Sequence, residues 1–198
     1  MLKKIHIIEN LLIENQGVVR TVDAVSAGVS RTTLGLLVKE GELERVAYGQ
    51  YIRADDMPDE LYLLQQRSGK IIFSHETALF LHGMAERTPI QHSLTLPSNS
   101  KLSPARAIGC KIYYIKTELH SMGRCSVMSN MGHKVIAYDV ERTVCDILRS
   151  RNRVDGQTLA AAYKNYVARK DQNWNKLREY AEIFRITKLV RQYLEVLL

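Results

Sequence analysis

The first fifty residues contain three apolar stretches at helical spacing, separated by glycines. The first stretch ends at Gly17, where glycine supplies a left-handed cap; its apolar members are Ile5, Ile8, Leu11 and Leu12. Thr21 is a candidate N-cap for a second, short helix that stops at Gly28, and Ser30 is a candidate N-cap for a third helix that closes at Gly41. Two short helices joined by a glycine turn, with a preceding helix to pack on, match the spacing of a helix-turn-helix.

Two β-runs follow the third helix, at 43–47 and 50–53, and the turn between them contains Gly49. The order helix, helix, helix, hairpin predicts the winged form of the helix-turn-helix. The segment Asp55-Asp56-Met57-Pro58 is the expected domain boundary, because two acids and a proline both end a hairpin and start a helix with proline at its first position. We therefore predict a winged helix-turn-helix DNA-binding domain at 1–56 and a C-terminal domain at 57–198.

Beyond the boundary, strand-like and helix-like periods are mixed. Strands are expected at 71–73, 93–96, 111–115 and 134–138, with a polar loop at 97–103. Helices are expected from Pro58, at 74–83 with Ser74 as its cap, at 141–149, and in a tail at 157–169, 173–184 and 186–197. The predicted fold class is α+β, with an N-terminal winged helix-turn-helix followed by a mixed α/β domain that ends in a helical tail.

The third helix offers a surface suited to DNA. Leu34, Leu37 and Val38 define its buried face, so its other side chains face outward or lie at its N-terminal tip. The candidates for contact with base edges in the major groove are Arg31, Thr32, Thr33, Leu36 and Lys39. An ordinary solvated helix face is the alternative, and the hairpin that follows favours DNA.

The hairpin carries a second group of candidates, which would hold phosphates or enter the minor groove. They are Arg45, Tyr48, Gln50 and Arg53. Tyr51 is expected in the core, because strand alternation places it opposite Gln50.

The net charge of +7 is concentrated at one end of the chain. Residues 149–198 carry eleven basic and five acidic side chains, whereas residues 1–54 carry seven against six and residues 55–148 carry ten of each. Arg149, Arg151 and Arg153 begin this basic segment and are candidates for secondary phosphate contacts. A solvated face and a surface for an acidic protein partner remain open as alternatives.

Signs of catalysis or metal binding are weak. His75 and His82 are two helical turns apart, which is a poor spacing for joint metal ligation, so they are expected to pack or cap. The three cysteines have no C-x-x-C spacing, and phosphate-binding, dinucleotide-binding and hydrolase motifs are absent. Asp139, Glu141, Arg142 and Asp146 are expected to cap and support the 141–149 helix. No catalytic residue, metal or cofactor is predicted, although an unrecognised active site stays open.

Targeting signals are also absent. No apolar run approaches the roughly 20 residues that a membrane-spanning helix needs, and no small-residue cleavage site precedes the first helical pattern. A cytoplasmic location without membrane association is expected.

Two further motifs indicate a resemblance to a known protein family. They are S-H-x-x-A-L-x-L-H-G at 74–83 and E-R-T-x-x-D at 141–146, and they follow the helices and hairpin of residues 27–51. In this order, over almost the whole chain, the sequence resembles the antitoxin of the AbiE abortive-infection system, the transcriptional-regulator half of a bacterial toxin–antitoxin pair.

The resemblance implies a type IV antitoxin that defends against phage and represses its own transcription. The N-terminal domain would bind inverted repeats in its own promoter, as two copies of a chain that is monomeric in solution. The C-terminal domain would counter a nucleotidyltransferase-type toxin without forming a stable complex. The alternative is a free-standing winged-helix regulator whose C-terminal domain senses a ligand.

Overall fold

The computed structural model describes residues 2–197 and shows an α+β protein with two separate sheets. Contacts divide the chain into two compact units, Met1–Gln66 and Arg67–Leu198, here called unit 1 and unit 2. The expected boundary after position 56 therefore falls inside unit 1. Within the described residues, no helix is both long and apolar enough to cross a membrane.

Unit 1 combines helices with a small antiparallel sheet. Its helices are α1 (Leu2–Glu14), α2 (Thr21–Ser26), α3 (Arg31–Lys39) and α4 (Glu60–Gln65). Its strands are β1 (Val19–Arg20), β2 (Leu43–Ala47) and β3 (Gln50–Arg53), in the order β1-β3-β2. The predicted hairpin is confirmed, and β1 is a strand that the sequence pattern did not indicate. The core beneath these elements consists of Ile8, Leu12, Val19, Ala24, Val29, Leu34, Leu37 and Leu43.

In unit 1, the helix starts confirm one predicted cap and correct two. Ser30 caps α3, because its side chain accepts a hydrogen bond from the Thr33 amide. Thr21 is the first residue of α2, and the cap position is held by Arg20 without a side-chain hydrogen bond. Pro58 does not start α4; Asp59 caps that helix by accepting from the amides of Leu61 and Tyr62.

Two hydrogen bonds, one buried and one partly buried, explain why α4 belongs to unit 1. The Gln50 Nε2 donates to the Leu63 carbonyl at 2.9 Å, and the Tyr62 hydroxyl donates to the Asn15 carbonyl at 2.8 Å. Both bonds hold α4 to elements that precede the expected boundary. The acids and proline before α4 form a connection within the unit, not a linker between domains.

Unit 2 is built on a mixed five-stranded sheet in the order β6-β5-β4-β8-β7. The strands are β4 (Ile72–Phe73), β5 (His92–Pro97), β6 (Cys110–Ile115), β7 (Arg124–Met128) and β8 (Lys134–Tyr138). The central strand β4 pairs antiparallel with β5 and parallel with β8, while β5 and β6 are parallel. The expected strands are confirmed, and β7 is an additional edge strand.

Helices cover this sheet and form the tail. They are α5 (His75–Leu81), α6 (Pro104–Ala107), α7 (Thr117–His120), α8 (Val140–Arg149), α9 (Gly156–Ala168), α10 (Trp174–Ile183) and α11 (Thr187–Leu197). α8 is buried from Glu141 to Leu148, and its apolar side packs with α9, α10 and α11 in one core. The predicted helical tail is confirmed to within a residue or two at its ends; the short α6 and α7 lack a long apolar period and were not predicted.

Candidate nucleic-acid interface

The first turn and outer face of α3 are open to solvent. Arg31, Thr32, Leu36 and Lys39 are all exposed, whereas Leu34 and Leu37 are buried. Leu36 is 44% exposed, so its side chain is accessible to a partner. This is the arrangement expected from the periodicity, since the apolar residues point into the core of unit 1.

Thr33 differs from its neighbours. It is 9% exposed, and its Oγ1 lies 3.0 Å from the Ser30 Oγ. The Lys4 Nζ on α1 also donates to the Thr33 Oγ1, at 3.4 Å. Thr33 therefore takes part in the cap of α3, and the expectation that it is available for base contact is corrected.

The tip of the β2–β3 hairpin carries an exposed aromatic and cationic pair. The Tyr48 side chain is 89% exposed, and the Arg45 guanidinium lies 5.8 Å from the centre of its ring. Gly49 turns the chain with φ +69°. A cation held near an exposed ring at a turn presents both charge and a flat apolar surface to a partner.

The other two hairpin candidates are engaged within the unit. Gln50 is 4% exposed, because β3 is the central strand and turns Gln50 inward to the Leu63 carbonyl. The prediction that Gln50 contacts DNA is therefore wrong. Tyr51 is partly buried against the core, as expected. Arg53 is about half exposed, and its guanidinium is ion-paired with the Glu9 carboxylate of α1.

In unit 2, two of the three candidate arginines lie against aromatic rings. The Arg149 guanidinium is 4.3 Å from the Phe184 ring centre and ion-pairs with Asp146 at 2.9 Å. The Arg153 guanidinium is 4.3 Å from the Tyr113 ring centre and donates to the Ile112 carbonyl. Arg151 is exposed in the turn between them. These contacts hold the guanidinium groups of two arginines against unit 2.

The structure adds Lys111 to this basic region. Its Nζ donates to the Arg153 carbonyl at 2.6 Å and to the Glu76 carboxylate at 2.9 Å. Lys111 lies on β6, some forty positions before Arg153, so no local sequence signal links the two. Only the closure of the sheet brings them together.

Beneath the basic region lies the buried imidazole of His75. Its ring stacks on Tyr113 with 3.4 Å between centres, and its two nitrogens lie 2.9 Å from the hydroxyls of Ser74 and Ser150. Burial, followed by the charge of Lys111, holds the pKa of His75 well below its usual range. His75 is a neutral, packed histidine, as expected, although its φ of +46° is uncommon for a side chain of this size.

The E-R-T-x-x-D motif is structural. Asp139 caps α8 by accepting from the Arg142 amide, and the fully buried Arg142 donates through Nε to Asp146 at 2.9 Å. Its Nη1 donates to the carbonyls of Leu119 and Met122. The predicted capping and support of α8 are confirmed. Among residues 2–197, no group of histidine, cysteine and acidic side chains is arranged to hold a metal ion.

The architecture is that of an α+β protein whose first unit combines short helices with a hairpin. Residues 6–54, within unit 1, match the sequence model of the family described as transcriptional regulator, AbiEi antitoxin. The match covers 49 of the 198 residues and includes α2, α3 and the hairpin. No curated protein matches the chain in sequence.

The fold is also similar to a solved structure, the RV2827C protein from Mycobacterium tuberculosis. The TM-score is 0.62 at 15% sequence identity, and the similarity covers 88% of this chain and 69% of that one. At this identity the comparison establishes the fold alone.

Proposed function

We propose that unit 1 is a winged helix-turn-helix that binds duplex DNA in a sequence-specific manner and represses the gene encoding this chain. The observation that carries the proposal is the family match over residues 6–54, because it includes both α3 and the hairpin. α2 and α3 would be the helix-turn-helix, and the hairpin would be the wing. Transcriptional regulators of this architecture insert such a helix into the major groove.

The exposed residues divide into those proposed to contact bases and those proposed to contact the DNA backbone. Arg31, Thr32, Leu36 and Lys39 would face base edges, where arginine pairs with guanine and an apolar side chain meets the thymine methyl. Arg45 and Tyr48 would hold the flanking backbone or enter the minor groove. Arg53 would contribute less to DNA binding than Arg45, because Glu9 already compensates its charge.

A gel-shift titration tests this assignment. The probes are the promoter fragment upstream of the gene and an unrelated duplex of equal length. Arg31→Ala with Thr32→Ala should abolish most of the preference for the promoter, at about 1–3 kcal/mol for each lost base contact. Arg45→Ala is the matched control and should weaken both probes alike. Undiminished preference in the double variant would refute the assignment of α3 as the reading helix.

We propose further that two copies, monomeric in solution, occupy an inverted repeat, and that unit 2 counters a nucleotidyltransferase-type toxin without a stable complex. This makes the chain a type IV antitoxin of an abortive-infection system. Its support is the family match together with the sequence resemblance across unit 2. Repression and neutralisation would then use different surfaces, so Arg31→Ala with Thr32→Ala should still rescue growth when the neighbouring toxin is expressed from an unrelated promoter.

That co-expression assay also defines what would contradict the proposal. Rescue only by variants that bind DNA would show that the two activities are not separable. No toxicity from any neighbouring gene product would favour a free-standing regulator with a ligand-sensing second unit. Mass photometry of the chain on promoter DNA reports the number of copies bound.

The basic region of unit 2 is proposed as a second phosphate-contacting surface. Arg151 is its most informative member, because Arg149 and Arg153 also have packing roles within the unit. Arg151→Glu should lower the slope of log affinity against log salt concentration by about 0.9 or more, since each neutralised phosphate contributes about that amount. An unchanged slope would assign this surface to solvent or to a protein partner.

A further inference from the structure

Lys4 occupies an informative position on α1. The residue is exposed, yet its Nζ reaches across to the Thr33 Oγ1 in the first turn of α3, at 3.4 Å. Twenty-nine positions separate the two residues in the chain. The fold of unit 1 thus places a lysine ammonium beside the end of α3 that carries Arg31 and Thr32.

Lys4 and two other basic residues of unit 1 differ in the groups to which their charged atoms bond. Arg53 is paired with Glu9, and Arg20 is paired with Asp23 at 2.6 Å. The partner of Lys4 is a neutral hydroxyl, and the first turn of α3 contains no acidic residue. In the described part of unit 1, this end of α3 therefore carries cations that the protein itself does not neutralise.

We propose that Lys4 contacts a phosphate of the DNA backbone next to the groove that α3 enters. This inference rests on the proposed function and adds to the binding surface a residue from α1. A lysine that is positioned beside the reading helix, without being on it, meets the sugar-phosphate backbone before it meets a base edge. The contact adds affinity and fixes the orientation of α3, and it carries no sequence preference.

A purely structural role is the competing explanation, since Lys4 also bonds Thr33. Three variants separate the two. Lys4→Gln keeps a donor for Thr33 and loses the charge; Lys4→Arg keeps the charge; Thr33→Val removes the hydroxyl partner and keeps the lysine. Lys70→Gln is the matched control, because Lys70 is another lysine whose Nζ bonds a hydroxyl, that of Ser100 at 2.8 Å.

The measurement is the affinity of the full chain for the promoter fragment and for an unrelated duplex, from 50 to 200 mM salt. For Lys4→Gln we expect the slope of log affinity against log salt to fall by about 0.9, so that a fourfold change in salt costs about 3.5-fold less affinity than in the wild type. Both duplexes should lose the same factor in affinity. Lys4→Arg, Thr33→Val and Lys70→Gln should keep the wild-type slope.

Each other outcome overturns the inference. An unchanged slope in Lys4→Gln would exclude a phosphate contact, while an equal loss in Thr33→Val would make the bond to Thr33 the whole effect. A loss in Lys4→Gln that is confined to the promoter would identify a base contact instead. If the wild-type chain binds neither duplex, the proposed function fails, and the inference fails with it. If the wild-type chain binds and Lys4→Gln keeps the wild-type salt slope, only the inference is overturned.

Discussion

Replacing Arg142 by methionine tests the buried centre of unit 2. The Arg142 side chain is fully buried and ion-paired with Asp146, which is 3% exposed. Its guanidinium lies between two aromatic rings, 4.1 Å from the centre of Tyr138 and 4.5 Å from that of Phe184. Methionine replaces the apolar stem of Arg142 to about the position of Nε, so the change removes the charge, the hydrogen bonds and the contacts of the guanidinium with the two rings.

The expected loss of stability follows from the buried groups that lose Arg142 as a partner. Removal of one partner from a buried ion pair costs about 3–5 kcal/mol, because the other charge stays buried. Asp146 keeps its ion pair with Arg149, which is one-third exposed, and this places the cost near the lower end. The carbonyls of Leu119 and Met122 each lose a donor, at about 1 kcal/mol or more. We expect the free energy of unfolding of unit 2 to fall by about 5 kcal/mol.

Urea unfolding followed by tryptophan fluorescence measures this change in unit 2 alone. Trp174 is the single tryptophan of the chain, and it packs edge-on against Tyr166 at 5.2 Å. The exposed Arg87 provides the matched control, and Arg87→Met should stay within about 0.5 kcal/mol of the wild type. A loss below about 1 kcal/mol for Arg142→Met would refute the reasoning, as would full additivity when Asp146→Leu is combined with it.

Three further predictions test other contacts. Gly123→Ala should lower the stability of unit 2 by about 2–4 kcal/mol in the same assay, because φ is +75° and the new Cβ would lie 2.8 Å from the Arg142 Cβ. The control Gly132→Ala, at φ +85° in open space, should cost about 1–2 kcal/mol, and equal costs for the two variants would contradict this reasoning. Ser30→Ala should destabilise α3 by about 1 kcal/mol, seen as faster hydrogen exchange of its first-turn amides, and unchanged exchange would refute the cap. The folded-state pKa of His75 is lowered, so at acidic pH the unfolded chain binds one proton more than the folded chain. The free energy of unfolding of unit 2 should therefore fall by up to about 1.4 kcal/mol per pH unit below pH 6.5. His75→Asn should reduce that slope, and an equal slope would show that other groups cause it.

The periodic segments of the chain were predictable from sequence, and the deviations have physical causes. Long helices with a continuous apolar face, such as α8 and α11, matched their predicted ranges. The two-residue strand β1 is too short to have a period, and it exists because β3 offers it an open edge. β7 alternates between exposed and half-buried residues, and its apolar signal is correspondingly weak.

The candidate interface was predictable where side chains point away from the core. The exposed positions of α3 follow from its apolar face. Gln50 alternates with Tyr51 as expected, but it is buried because both faces of β3 are covered, one by α4 and the other by the core of unit 1. Contacts between distant segments had no local signal. Lys4 with Thr33, Lys111 with Arg153 and His75 with Ser150 come together only through tertiary packing.

The central strand of the unit 2 sheet has a consequence for the order of folding. β4 has only two residues, and its link to β8 is the pairing of Phe73 with Ala137, sixty-four positions apart. Until Ala137 is present, this sheet remains two separate pieces, and such long-range closure is slow. At a synthesis rate of about 5–20 residues per second, the ribosome completes residues 1–66 about 4–14 s before it reaches Ala137. Synthesis of each new molecule therefore completes the proposed DNA-binding unit before the proposed neutralising unit, and a chain released between the two would contain only the first.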